Sequence, residues 1–180
     1  MYTYQDVLQF WFEETKPEQR FRKDAAFDAL IRERFAATQR AAAQGELFEW
    51  RTTPGGRLAE IIVLDQFSRN LFRDDASAFA CDGMALVLAQ EAVAAGADRE
   101  LASERRAFLY LPYMHSESPR IHEEAMRLFA EPGLEFNFEF ERKHRAIIER
   151  FGRYPHRNAA LGRDSTEEEI AFLREPGSGF

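Results

Sequence analysis

Apolar residues recur at three- and four-residue spacings along most of this chain, and nowhere do they alternate over a useful length as a half-buried strand would. That pattern restricts the fold to helices packed on helices. Val7, Phe10 and Trp11 open a first amphipathic segment, and Phe27, Leu30, Ile31 and Phe35 mark a second. Thr53-Pro54 offers an N-cap followed by proline at the first helical position, where a missing N–H costs nothing. Leu58, Ile61 and Ile62 begin the helix that follows. An alanine-rich helix runs from Asp82 to Ala95 and stops near Gly96, and Phe108, Leu111 and Met114 lie on the next. Ser118-Pro119 caps another that ends near Pro132-Gly133, and Phe136 to Phe151 form a long helix with Gly152 suited to the left-handed C-terminal position. Ser165-Thr166-Glu167-Glu168 opens a last short helix through Phe172.

Seven to eight helices joined by short turns predict an all-α domain of antiparallel helix pairs. At 180 residues, with 17 phenylalanines to fill a core, a single domain over 1–175 is expected, followed by a flexible tail over 176–180. No 34-residue repeat consensus of the tetratricopeptide kind is present.

Charge and cysteine content narrow the function classes. A net charge of -7 argues against a nucleic-acid partner. No apolar run approaches the roughly 20 residues that cross a bilayer, and the start lacks the basic-then-apolar pattern of a secretion signal. A single cysteine, Cys81, excludes an internal disulfide framework and a thiolate metal cluster. The default reading is a cytoplasmic protein with no membrane partner; its oligomeric state is open.

The informative anomalies are polar residues at positions where helical register asks for apolar ones. After Leu58, Ile61 and Ile62 the same face delivers Asp65 and then Arg69, four residues apart and in reach of each other. His144 lies inside the stripe of Phe140, Ile147, Ile148 and Phe151, and the face of Phe108 and Leu111 continues to His115. Taken singly, these read as an intrahelical ion pair and as hydrogen-bonded core histidines. Taken together with a basic loop they fit one pocket. From Arg142 to Arg163 there are seven Lys or Arg against one acid, Glu149, within an acidic protein. The loop Arg153-Tyr154-Pro155-His156-Arg157-Asn158 offers donors from a segment stiffened by proline.

Four runs resemble the uncharacterised bacterial family catalogued as domain of unknown function nine-two-four. Val7-Leu8-Gln9-Phe10-Trp11-Phe12 is similar to its opening "VLxFWF" motif, and Leu64 to Asn70 to "LDQFPRN", with Ser68 in place of proline. Tyr110 to Glu117 resembles "YMPLEHSE" and Phe151 to Arg163 resembles "FGRFPHRNxxLGR". The resemblance spans nearly the whole chain. It implies an all-helical fold related to tetratricopeptide arrays, and it implies no established activity.

The leading expectation is a pocket for a small anionic ligand, because the planar arginine fork suits carboxylate or phosphate. Its expected lining is Trp11, Asp65, Arg69, Asn70, Arg73, Glu117, Arg153, Arg157, Asn158 and Arg163, with His115, His144 and His156 as acid–base candidates. No complete catalytic constellation is visible, so no reaction follows. A scaffold gripping an acidic peptide in a helical groove is the alternative. A metal-dependent enzyme using His115, Glu117, His144 and His156 is a third reading. No two of those residues have the spacing that pairs ligands on one helical face, so no metal ligand and no cofactor is assigned.

Overall fold

A computed structural model describes residues 2–179; Met1 and Phe180 lie outside the described residues. The fold is all-α, with no strand among the described residues. The α-helices are α1 (Tyr4–Gln9), α2 (Pro17–Arg20), α3 (Ala25–Ala43), α4 (Pro54–Ile62), α5 (Ser68–Leu71), α6 (Asp82–Ala94), α7 (Ser103–Met114), α8 (Pro119–Phe129), α9 (Glu135–Phe151) and α10 (Glu167–Phe172). A π turn over Val63–Phe67 joins α4 to α5, so residues 54–71 form one continuous helix, and the described residues hold nine helices. The one not marked by apolar spacing is the single-turn α2.

Local chemistry sets the helix ends. Thr3 and Asp6 form a reciprocal capping box at α1, and Thr166 does the same with Glu169 at α10. The Thr53 hydroxyl accepts the Gly56 N–H at 3.0 Å, with Pro54 in the first turn of α4. Gly56 sits so close to the preceding chain that an added Cβ would lie 1.9 Å from the Trp50 carbonyl oxygen. Gly152 ends α9 in the left-handed conformation at φ 69°.

The 54–71 helix is the hub: α1, α3, α6 and α7 all pack on it, while α7, α8 and α9 stack in succession. Leu58, Ile61, Ile62, Val63, Leu64 and Phe67 are fully buried on it. They meet Phe10, Trp11, Ile31 and Phe35 in the main core, and each such side chain contributes about 1.5–3 kcal/mol by leaving water. A smaller cluster of Ile147, Ile148 and Tyr154, with Phe151 and Phe172 against it, forms separately around the end of α9.

The 19-residue stretch Ala76–Ala94 contains an 18-residue window of mean hydropathy 1.2, long and apolar enough by length and composition alone to cross a membrane. Asp82 and Glu91 interrupt it, which is why it did not read as an apolar run. Here α6 packs on α4 and α7, and Ala85, Ala89 and Ala92 are buried. The segment 176–179, expected to be loose, turns back: Ser178 is buried and donates to the Leu173 carbonyl at 3.2 Å, and Gly179 lies beside His156.

Candidate functional site

The end of the hub helix, the end of α7, one face of α9 and the loop after α9 enclose a cavity of about 740 Å³, within the roughly 300–1,000 Å³ of small-molecule sites. Arg69, Asn70 and Arg73 reach it from α5 and the turn that follows, Leu111, Met114 and His115 from α7, and Tyr154, His156 and Arg157 from the loop. From α9 come Phe136, Phe140 and His144, four residues apart and so on one face. A second cavity of about 340 Å³ shares Phe79, His115 and Arg157 with the first and extends to Asp82 and Glu117.

Asp65 organises the inner wall. It lies in the π turn, 1% exposed, and accepts three hydrogen bonds: His115 Nδ1 at 2.7 Å, Arg69 Nη1 at 3.0 Å and Gln66 Nε2 at 2.6 Å. Burial works against its charge, but the Arg69 guanidinium and the hydrogen bonds from His115 and Gln66 hold the carboxyl well below the usual range. The contact makes His115 Nδ1 the proton-bearing nitrogen, and burial lowers the ring's pKa and keeps it neutral at pH 7, against the opposing pull of Asp65 and with Arg69 acting in the same direction. Its Nε2 has no hydrogen-bond partner among the described residues. An imidazole whose tautomer is fixed by a carboxylate, with a basic nitrogen left over, is equipped to accept a proton.

Charge alternates beyond this pair. Arg69 also makes a two-point contact with Asp82 at the start of α6, at 2.8 and 3.0 Å. Arg73 is held in the same way by Asp28, at 2.6 and 2.7 Å, and Asn70 donates to that acid at 2.8 Å. Arg157 is different. It is 6% exposed, lies between the rings of Phe79 and Tyr154 with its guanidinium carbon 4.7 and 4.6 Å from their centroids, and donates to the His115 carbonyl at 2.9 Å. Its carboxylate contact is Asp82 at 3.5 Å, an acid already engaged by Arg69. Burial, and then Arg69, pull its pKa below the ordinary guanidinium value. Among the basic residues lining the cavity it is the least neutralised.

His144 donates from Nδ1 to the Phe140 carbonyl at 2.7 Å, and burial pushes its pKa down to about 3. His156 is pushed down to about 4 by burial and by Arg157. Tyr154 is fully buried and its hydroxyl donates to the Met114 carbonyl at 2.5 Å. Beneath it His122 and Glu141, both wholly buried, pair at 2.6 Å, and His122 also meets the Ser116 carbonyl at 2.7 Å. Burial raises Glu141 above the usual carboxylate range.

Of the residues expected to line a site, Arg69, Asn70, Arg73, His115, His144, His156 and Arg157 border the larger cavity, and Asp65 lies directly behind it. Glu117 borders the second cavity. Four lie elsewhere. Trp11 is fully buried in the main core, edge-on to Phe67 and Phe108, because its register is that of Val7 and Phe10. Arg153 grips Glu169 of α10 at 2.8 and 2.9 Å. Asn158 donates to Ser165 and Glu169 and accepts from Arg163. Arg163 grips Glu117 at 2.8 and 2.9 Å and donates to the Tyr154 carbonyl at 3.0 Å. These polar groups fasten the loop to the α7–α8 turn and to α10, and so aim Tyr154, His156 and Arg157 inward.

The sequence reading does not single out Gln66, Phe79, Asp82 or Glu141, and it leaves His122 out of the site. Asp82 carried no signal, because an acid at a helix start is ordinary. His122, by contrast, sits on α8 in register with the buried Ala125 and Phe129, which was readable. Among the described residues no three His, Cys, Asp or Glu side chains come together as a metal-holding group.

The chain is similar to other proteins over almost its whole length. Residues 7–177 match the family described as "Bacterial protein of unknown function (DUF924)". A solved structure of a protein of unknown function from Agrobacterium tumefaciens is 38% identical, with a TM-score of 0.90, and the match covers 95% of this chain and 96% of that one. No curated protein matches the chain.

Proposed function

For this chain, which belongs to the DUF924 family of bacterial proteins of unknown function, we propose binding of a small anionic molecule in the cavity between α7 and α9. The observation that carries the reading is Arg157: a buried guanidinium between two rings, short of a close carboxylate, on the wall that also holds His115. A buried charge this weakly paired favours an anionic guest. Burial of His144 supports a closed small-molecule site over a peptide lying in an open groove. The Asp65–His115 pair adds a positioned base beside the bound molecule.

A thermal-shift screen of the full chain against phosphates, carboxylates and nucleotides tests the reading. A ligand present at about 100 times its Kd adds about 2.7 kcal/mol of stability. The shift should disappear in Arg157→Ala and shrink in His144→Ala. A hit whose shift survives both substitutions places the ligand elsewhere and removes the proposal.

A further inference from the structure

The rest of the cavity says what kind of anion belongs there. Along α9 exposure falls from 70% at Phe136 to 36% at Phe140, and His144, the next residue of that face, is 5% exposed. The three span about 12 Å of helix, an aromatic ramp descending from solvent to the polar end. Phe21, 64% exposed and stacked on Phe108 at 5.8 Å, also borders the cavity, as do Leu111 and Met114 of α7. Aromatic rings left this open beside a cavity are apolar surface awaiting cover.

The inner end limits the charge. Arg69 and Arg157 there already face Asp65 and Asp82, so one added negative charge is accommodated more readily than two. Among the described residues Arg157 Nη1 has only its 3.5 Å contact with Asp82, which leaves donor capacity unused on the planar fork. Resting on the anionic-ligand reading, we propose that the site takes an organic monocarboxylate with an apolar body. The carboxylate meets Arg157 beside His115, and the body lies along Phe140 and Phe136.

Calorimetric titration of the full chain with 4-phenylbutyrate, its neutral amide, acetate and inorganic phosphate separates the two claims. 4-Phenylbutyrate should bind at least about tenfold more tightly than acetate, phosphate or the amide, each comparison isolating one half of the ligand. Phe136→Ser, at an exposed position that does not endanger folding, should weaken 4-phenylbutyrate several-fold and leave acetate unchanged. Arg157→Lys should weaken the acid and leave the amide unchanged. Acetate or phosphate binding as tightly as 4-phenylbutyrate would overturn the apolar body and leave the anion site standing. An amide as good as the acid, or no binding by any probe, would overturn both. Sedimentation as a dimer that Phe136→Ser converts to monomer would instead assign the aromatic ramp to self-association and overturn the proposal.

Discussion

His144 links the site to the pH behaviour of the whole protein. In the unfolded chain its imidazole takes up a proton near pH 6.5, while in the fold burial holds its pKa down to about 3. The folded state therefore binds fewer protons below pH 6.5. Stability should be full above that value and fall as pH drops toward 3, by up to about 1.4 kcal/mol per pH unit. His156 adds to the loss between 6.5 and about 4. Urea denaturation at pH 7.5 and 5.0 measures this, and His144→Leu should flatten the dependence; an unchanged slope in that variant would refute the assignment. The same residue explains what could be read beforehand. His144, His115 and Asp65 were visible because each occupies a position where helical register asks for an apolar side chain. Trp11 misled because an aromatic carries the same local signature in a core and beside a ligand. Asn158 and Arg163 misled because the sequence places donors in a loop without saying which acids, Glu117 and Glu169, will claim them.

Helices were readable where capping chemistry and apolar spacing agreed, as at Thr53-Pro54 and Gly152. The π turn at Val63–Phe67 was not, since its sequence continues the α pattern and tertiary packing selects the wider turn. Close packing also fixes the entrance to that helix, where two adjacent glycines differ. An alanine Cβ at position 56 would meet the Trp50 carbonyl oxygen at 1.9 Å, and at position 55 the flexible Leu8 Cδ1 at 3.3 Å. Gly56→Ala should therefore cost about 1–3 kcal/mol. Gly55→Ala should be neutral or stabilising, since alanine favours helix by about 0.5–1 kcal/mol. Thermal melts of the two variants compare them directly, and equal melting temperatures would contradict the close approach at Gly56.

α7 packs on the hub and carries α8 and α9 in turn, so the main core and the smaller Tyr154 cluster should not melt separately. Tyr154 binds the α7 end through its hydroxyl and the α7–α8 turn through Glu117, which accepts its N–H at 2.8 Å. Fluorescence of Trp11 in a Trp50→Phe background and far-ultraviolet circular dichroism should accordingly give coincident unfolding curves. Separate midpoints would reveal two folding units. The lining of the recess runs from Arg20 to Gly179, nearly the full sequence. While the chain is being synthesised, its aromatic interior can consolidate once α7 has emerged from the ribosome. Arg157, however, sits on a loop that is fastened only when Glu169 of α10 has followed to hold Arg153 and Asn158. A nascent polypeptide would thus collapse well before it could retain a guest, and fragments stopping ahead of Glu169 would form the scaffold without the grip.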